Sequence, residues 1–347
     1  LQFKNEPKSN LLIKAARANN VSDSLSQRHL QMDINMGDTR LLETTLSADS
    51  PQALTLVEGR LAALSWGSPS APTWLALHGW LDNAASFSRL APRLASTLNV
   101  RIVALDFRGH GHSASLAQPS EHQDMALWDY CHDVLDAMEA LELEKVSLLA
   151  HSMGAAVSCL LASALPERVH QLMLLDGLGA LSTPAEETPD QLRKGLLAHR
   201  RPASKPPRYS GLESAVAARV AGGVTPIDAD TARPLVARNS YIGSDGGCYL
   251  RTDRRLMKPS LVRFTPDQVL ALLNAIRCPV LLIEGDKGIL GNRPWAERSR
   301  RAVADLSRHV LVGGHHLHLE KHTVDQVAAV IVQRQNLQKE ALNHAIS

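Results

Sequence analysis

The chain is poor in aromatic side chains, which make up 4% of its 347 residues, and poor in cysteine, of which it has four. So few aromatics give no indication of an aromatic-lined pocket, although Trp80, Phe87, Trp128, Tyr241 and Trp295 could still cluster. Cys131, Cys159, Cys248 and Cys278 are far apart and show no C-x-x-C spacing. A reduced, cytoplasmic compartment is the simplest expectation. Zinc-ligand spacing is missing, and so is a G-x-x-x-x-G-K phosphate loop, so no metal or organic cofactor is expected. Charge of one sign is missing too. Lys and Arg number 37 against 35 Asp and Glu, a formal net charge of +2. That balance gives no reason to expect nucleic acid or an anionic membrane as partner. A secretory signal is not expected either, because Lys4, Lys8, Lys14 and Arg17 interrupt the first twenty residues.

One run could be mistaken for a membrane span. Residues 146–165, "VSLLAHSMGAAVSCLLASAL", carry no formal charge and have roughly the length of a membrane span. His151, Ser152 and Gly154 interrupt it, so the run reads as a buried strand followed by a buried helix, and no membrane span is expected.

Hydrophobic residues amount to 44% and charged ones to 21%, enough for a globular core. Residues 1–50 are polar and weakly periodic, and read as a poorly ordered extension. A natural start at Met36 is one reading of that segment. Two alternating apolar runs flank Glu58-Gly59 and read as a β-hairpin. Short apolar runs at 73–77, 100–105, 145–150, 170–175, 279–283 and 308–313 then alternate with helical patterns at 84–98, 123–142, 153–164, 293–304 and 323–335. Such alternation implies βαβ units and a parallel sheet covered on both faces. It breaks between 178 and 277, a Pro-rich and mostly helical stretch that reads as a cap over the sheet's carboxyl edge. The domain expectation is therefore a core of 51–177 and 278–337, a cap of 178–277 and a C-terminal tail of 338–347. The basic piece 193–208 reads as solvated cap surface, or as an attractor for an anionic substrate.

"A-H-S-M-G", 150–154, lies between strand and helix, the context required of a G-x-S-x-G nucleophile elbow. Small residues are needed at both outer positions, and Ala150 and Gly154 fill them. The turn lifts Ser152 to the sheet's carboxyl edge, where open α/β sheets bind ligands. The plainer alternative is a serine that caps a helix. A serine hydroxyl needs a base to take its proton. His315, after Gly313 and Gly314 and the last expected strand, sits on the same edge. His316 and His318 are expected to share packing and solvent roles, with His318 the second candidate base. The Met153 N–H, at a helix N-terminus, and the Trp80 N–H, beyond the tight His78-Gly79 turn, are the candidate oxyanion donors.

Five segments together resemble the α/β-hydrolase superfamily: "HGW" (78–80), "LDFRGHGHS" (105–113), "AHSMGA" (150–155), "CPVLLIEGD" (278–286) and "GGHHLHLE" (313–320). They stand in the family's order and cover about residues 53–337. The longer stretch 75–95, with "LLDGLG" (174–179), is most similar to the serine hydrolase-like proteins. The resemblance implies an α/β-hydrolase fold, with an eight-stranded, mostly parallel sheet flanked by helices and a helical cap. It implies acyl transfer by a Ser-His-acid triad, with Ser152 as nucleophile and His315 as base. Arg108, Gly109 and Gly111 would fix a turn near the site.

The family usually places its acid where this chain has Gly288. Two replacements offer themselves: Asp176, ending the run 170–175, and Asp286, two residues early in the usual loop. Asp176 is preferred; Glu284, or no acid at all, completes the alternatives. A serine at the elbow, not aspartate, argues against an alkyl-enzyme ester. The expectation is a serine hydrolase cleaving a small-molecule ester or related acyl bond. A carbon–carbon bond hydrolase and a non-catalytic hydrolase-like binding protein are the rivals. Substrate identity and oligomeric state stay open.

Overall fold

The computed structural model describes residues 50–116, 125–201, 205–223 and 225–346. The expectations for residues 1–49, the Met36 start among them, fall outside these.

The strands are β1 (Gln52–Leu56), β2 (Leu61–Trp66), β3 (Thr73–Leu77), β4 (Arg101–Asp106), β5 (Val146–His151), β6 (Val169–Leu175), β7 (Ser240–Ile242), β8 (Cys248–Leu250), β9 (Val280–Gly285) and β10 (Leu306–Leu311). The helices are α1 (Leu90–Leu98), α2 (Asp129–Ala140), α3 (Met153–Ala164), α4 (Thr188–His199), α5 (Leu212–Ala221), α6 (Ala229–Asn239), α7 (Pro266–Asn274), α8 (Pro294–Ala302) and α9 (Val324–Ile346). Eight strands form one sheet in the order β1-β2-β4-β3-β5-β6-β9-β10. Only β2 runs against its neighbours; every other pair is parallel or joined through it. The fold class is thus the expected one, an eight-stranded, mostly parallel sheet flanked by helices.

The central strands are continuous apolar runs because both of their faces are buried. Side chains alternate between two cores. Leu75, Val103, Leu148, Leu172 and Leu282 enter one, with residues of α2, α3, α7 and α8. Trp74, Ile102, Leu149, Met173 and Ile283 enter the other, with α1 and α9. Helix α3 lies wedged beside the sheet, and all its residues from Gly154 to Leu161 are buried. That explains its apolar circumference. The uncharged run 146–165 is therefore β5 and α3, broken at Ser152. Among the described residues, no helix is long and apolar enough to cross a membrane.

The hairpin at Glu58-Gly59 is present, with Leu56 opposite Leu61. Val57, Glu58 and Gly59 all have positive φ (53°, 54° and 90°), the left-handed turn that joins twisted antiparallel strands. The region 178–277 is less purely helical than expected. Helices α4, α5 and α6 come with a two-stranded ribbon, β7 against β8. Ala215, Val216, Ala232, Val236 and Cys248 make a small core of their own there. Helix α7 behaves differently. It buries Val269 and Leu273 in the main core beneath the sheet, so it packs with the hydrolase core although it lies inside the stretch read as cap. Residues 338–346, read as a tail, continue helix α9.

Several polar contacts hold the cap to the core, two of them through long side chains at the site's edge. Arg238 of α6 forms a buried ion pair with Asp106 at the end of β4 (2.8 Å). The Trp80 indole N–H donates to the Leu256 carbonyl (3.0 Å).

Candidate active site

Three chain ends meet at the carboxyl edge of the sheet. β5 stops at His151, and Ser152 turns the chain into α3 with φ 51° and ψ −111°. This is a strained geometry for a residue with a Cβ, costing on the order of 1–3 kcal/mol. Packing around the turn holds it. The Ser152 N–H donates to Leu175 O (3.1 Å), and the Gly154 N–H donates to His78 O (3.1 Å). A Cβ at position 154 would overlap the Leu77 carbonyl. Gly154 thus lets the turn after β3 lie directly against the start of α3.

His315 follows β10 and reaches back to the elbow. Its Nε2 lies 2.9 Å from Ser152 Oγ, and its Nδ1 lies 2.6 Å from Asp176 Oδ2. A carboxylate only accepts, so Nδ1 carries the proton and Nε2 presents its lone pair to the serine hydroxyl. Asp176 is fully buried just past β6, with φ 43°. Its Oδ2 also accepts the Ile289 N–H (2.8 Å).

Gly288, where the family's usual acid would sit, now has a physical reading. A Cβ there would overlap the Asp176 carboxylate. The absent side chain and the carboxylate arriving from β6 occupy one space. Asp286, the other candidate acid, does not reach His315. It is exposed, and its Oδ1 accepts the Gly313 N–H (2.9 Å), which ties the end of β9 to the loop after β10. Glu284 is not at the site either. It is buried in β9 and committed to Arg300 and Arg308.

Of the other histidines in that loop, His316 Nε2 donates to Asp82 Oδ2 (3.0 Å). His318 Nε2 pairs with Ser86 Oγ (2.8 Å), and its ring packs on Phe87. Neither faces Ser152. His78 supports its turn through both nitrogens. Its Nε2 accepts the Phe107 N–H (3.0 Å), so Nδ1–H donates to Gly79 O (2.7 Å). Burial lowers the His78 pKa, which keeps this neutral tautomer. Met153 opens α3 beside Ser152, and Trp80 follows the His78-Gly79 turn that Gly154 holds in place. Arg108 pairs with the buried Asp133 and fixes the loop after β4. The aromatic residues are dispersed: Phe87 is in the core, Trp128 meets Phe264, and Tyr241 stacks on Tyr249.

Sequence reading missed Asp82 and His151. His151 is buried under the elbow, and its Nε2 lies 2.9 Å from the His315 carbonyl oxygen. Burial first, then the neighbouring His318, His315 and His316, holds its pKa well below the usual histidine value. Asp82, His151 and His316 together are the described residues whose atoms could hold a metal ion. They come from three separate segments, so no local spacing betrays them. The one available signal was His151, a polar residue at the end of an apolar strand.

A family model described as alpha/beta hydrolase fold matches residues 72–201. A serine hydrolase-like protein of Dictyostelium discoideum is 34% identical over 272 residues, 75% of this chain and 74% of that one. The 2-(acetamidomethylene)succinate hydrolase of Mesorhizobium japonicum is 28% identical over 71% of this chain and 82% of its own length. A hypothetical protein of Pseudomonas aeruginosa PAO1 has a crystal structure that superposes with a TM-score of 0.74 at 42% identity. The match covers 83% of this chain and 99% of that one. The chain belongs to the α/β-hydrolase superfamily, among the serine hydrolase-like proteins.

Proposed function

We propose that the protein hydrolyses a small-molecule ester or related acyl bond through an acyl-enzyme on Ser152. The observation that carries this reading is the unbroken relay from Ser152 Oγ through His315 to the buried Asp176 carboxylate.

In the acylation step Ser152 Oγ attacks the acyl carbonyl while His315 Nε2 takes its proton. Asp176 holds Nδ1–H, keeping the ring oriented and stabilising the imidazolium. The backbone N–H groups of Trp80 and Met153 bind the oxyanion, a role whose usual weight is about 3–4 kcal/mol per donor. His315 then passes its proton to the leaving group, and the alcohol departs. In the second half, His315 deprotonates a water that attacks the acyl-enzyme. The carboxylic acid leaves and Ser152 recovers its proton. Esters, thioesters and activated amides all fit this sequence, and one relative is named as a hydrolase of 2-(acetamidomethylene)succinate. The cysteines Cys131, Cys159, Cys248 and Cys278 are unbonded, which supports a cytoplasmic location.

A panel of acyl esters of graded chain length tests the reading. The wild type is expected to turn over at least one of them. Ser152→Ala is expected to lower kcat by at least about 10⁴-fold while its melting temperature stays near wild type. Undiminished turnover in Ser152→Ala would contradict the assignment.

A further inference from the structure

Beside the proposed base lies a second constellation of polar groups. His151 is fully buried, and its ring centroid is 4.5 Å from that of His315. Its Nε2 faces the His315 carbonyl oxygen, an atom that only accepts. Nε2 therefore carries the proton, and in the neutral ring Nδ1 is a bare lone pair. That lone pair has no hydrogen-bond partner. It lies 3.6 Å from Asp82 Oδ2, which also only accepts. Two buried acceptors thus confront each other, which costs free energy unless a cation or an extra proton lies between them. His316 Nε2 converges on the same carboxylate oxygen at 3.0 Å.

We propose that Asp82, His151 and His316 form a binding site for a zinc-class divalent transition-metal ion. Their three ligand atoms lie within 4.8 Å of one another, and all three residues are buried. Ligands about 2.0–2.1 Å from a tetrahedral zinc are separated by about 3.4 Å. The two separations from Asp82 Oδ2, 3.0 and 3.6 Å, bracket that figure. Two imidazoles and one carboxylate suit zinc or cobalt better than magnesium or calcium, and they leave a fourth position for water.

The surroundings fit as well. A ligating histidine commonly donates its other N–H to a backbone carbonyl, which fixes tautomer and orientation; His151 makes that bond to His315. Only His316 needs to change tautomer. That change puts its proton on Nδ1, a buried atom with no protein acceptor, so the metal must offset the cost of one unsatisfied N–H. Gly79 keeps the cradle open: a Cβ there would stand 2.8 Å from His151 Nδ1 and 3.2 Å from Asp82 Oδ2.

The test is cobalt binding by the full chain, stripped with a chelator and dialysed, then titrated with Co²⁺ and followed by visible absorption. The expected result is one equivalent giving the intense bands of tetrahedral Co²⁺, bleached by one equivalent of Zn²⁺. His316→Gln and Asp82→Asn, each checked for a native circular dichroism spectrum, should weaken binding at least tenfold. Asp286→Asn, at an exposed carboxylate, should bind as wild type does. If Asp82→Asn does not fold, His316→Gln decides alone. Absence of the bands, or equal bands in the folded variants and wild type, would overturn the site.

Discussion

At the scale of single residues, the site turns on which carboxylate serves His315. The two candidates differ in surroundings more than in distance along the chain. Asp176 is buried, bonded to His315 Nδ1 and to the Ile289 amide. Asp286 faces solvent and holds the Gly313 amide. Asparagine at 176 keeps the shape but can no longer hold Nδ1–H as a charged acceptor, so the imidazolium loses its counter-charge. Asp176→Asn is expected to lower kcat by about 10³–10⁴-fold. Asp286→Asn is expected to stay within about threefold, since the asparagine Oδ1 can still accept the Gly313 N–H. Steady-state rates on the best ester of the panel compare the two, and equal small effects would remove Asp176 from its role. Ser152 and His315 were legible in sequence because each follows a strand that ends at the same edge. The acid was legible only as a preference for Asp176 over Asp286, because strand ends name two carboxylates and only packing shows where each points. Gly288 held the missing information, but reading it requires knowing that its Cβ and the Asp176 carboxylate compete for one volume. The Asp82–His151–His316 group was illegible for a related reason: a cluster assembled from three segments has no spacing.

At the scale of elements, the core was readable because short continuous apolar runs alternate with stretches of helical period. The cap was readable only as an interruption. Its ribbon strands have three residues each, too few to show alternation. Helix α7 looks like a cap helix in sequence, yet Val269 and Leu273 point into the main core. Among the contacts that position the cap, one is a buried ion pair. Asp106 is fully buried and accepts from Ala84 N (2.7 Å), His112 N (2.7 Å) and the Arg238 guanidinium. Removing the guanidinium leaves that carboxylate buried with two backbone donors and no counter-charge. Arg238→Ala is expected to cost about 3 kcal/mol, seen as a lower denaturant midpoint. Arg233→Ala, whose partner Glu213 is solvent-exposed, should leave the midpoint unchanged. Matching midpoints for the two variants would mean that Asp106 does not depend on the cap.

At the scale of the whole molecule, the sheet with two covered faces explains both the apolar strands and the uncharged run 146–165. The run forms β5 and α3 at the middle of the sheet, and it breaks at Ser152, the proposed nucleophile. A near-neutral net charge leaves recognition to the site and the cap. The central claim is that this architecture activates one serine among many. Intact mass after incubation with a fluorophosphonate, on wild type and on folded Ser152→Ala, measures that directly. The account predicts one adduct on wild type and none on the variant. An unmodified wild type, or an adduct that persists in Ser152→Ala, would contradict it.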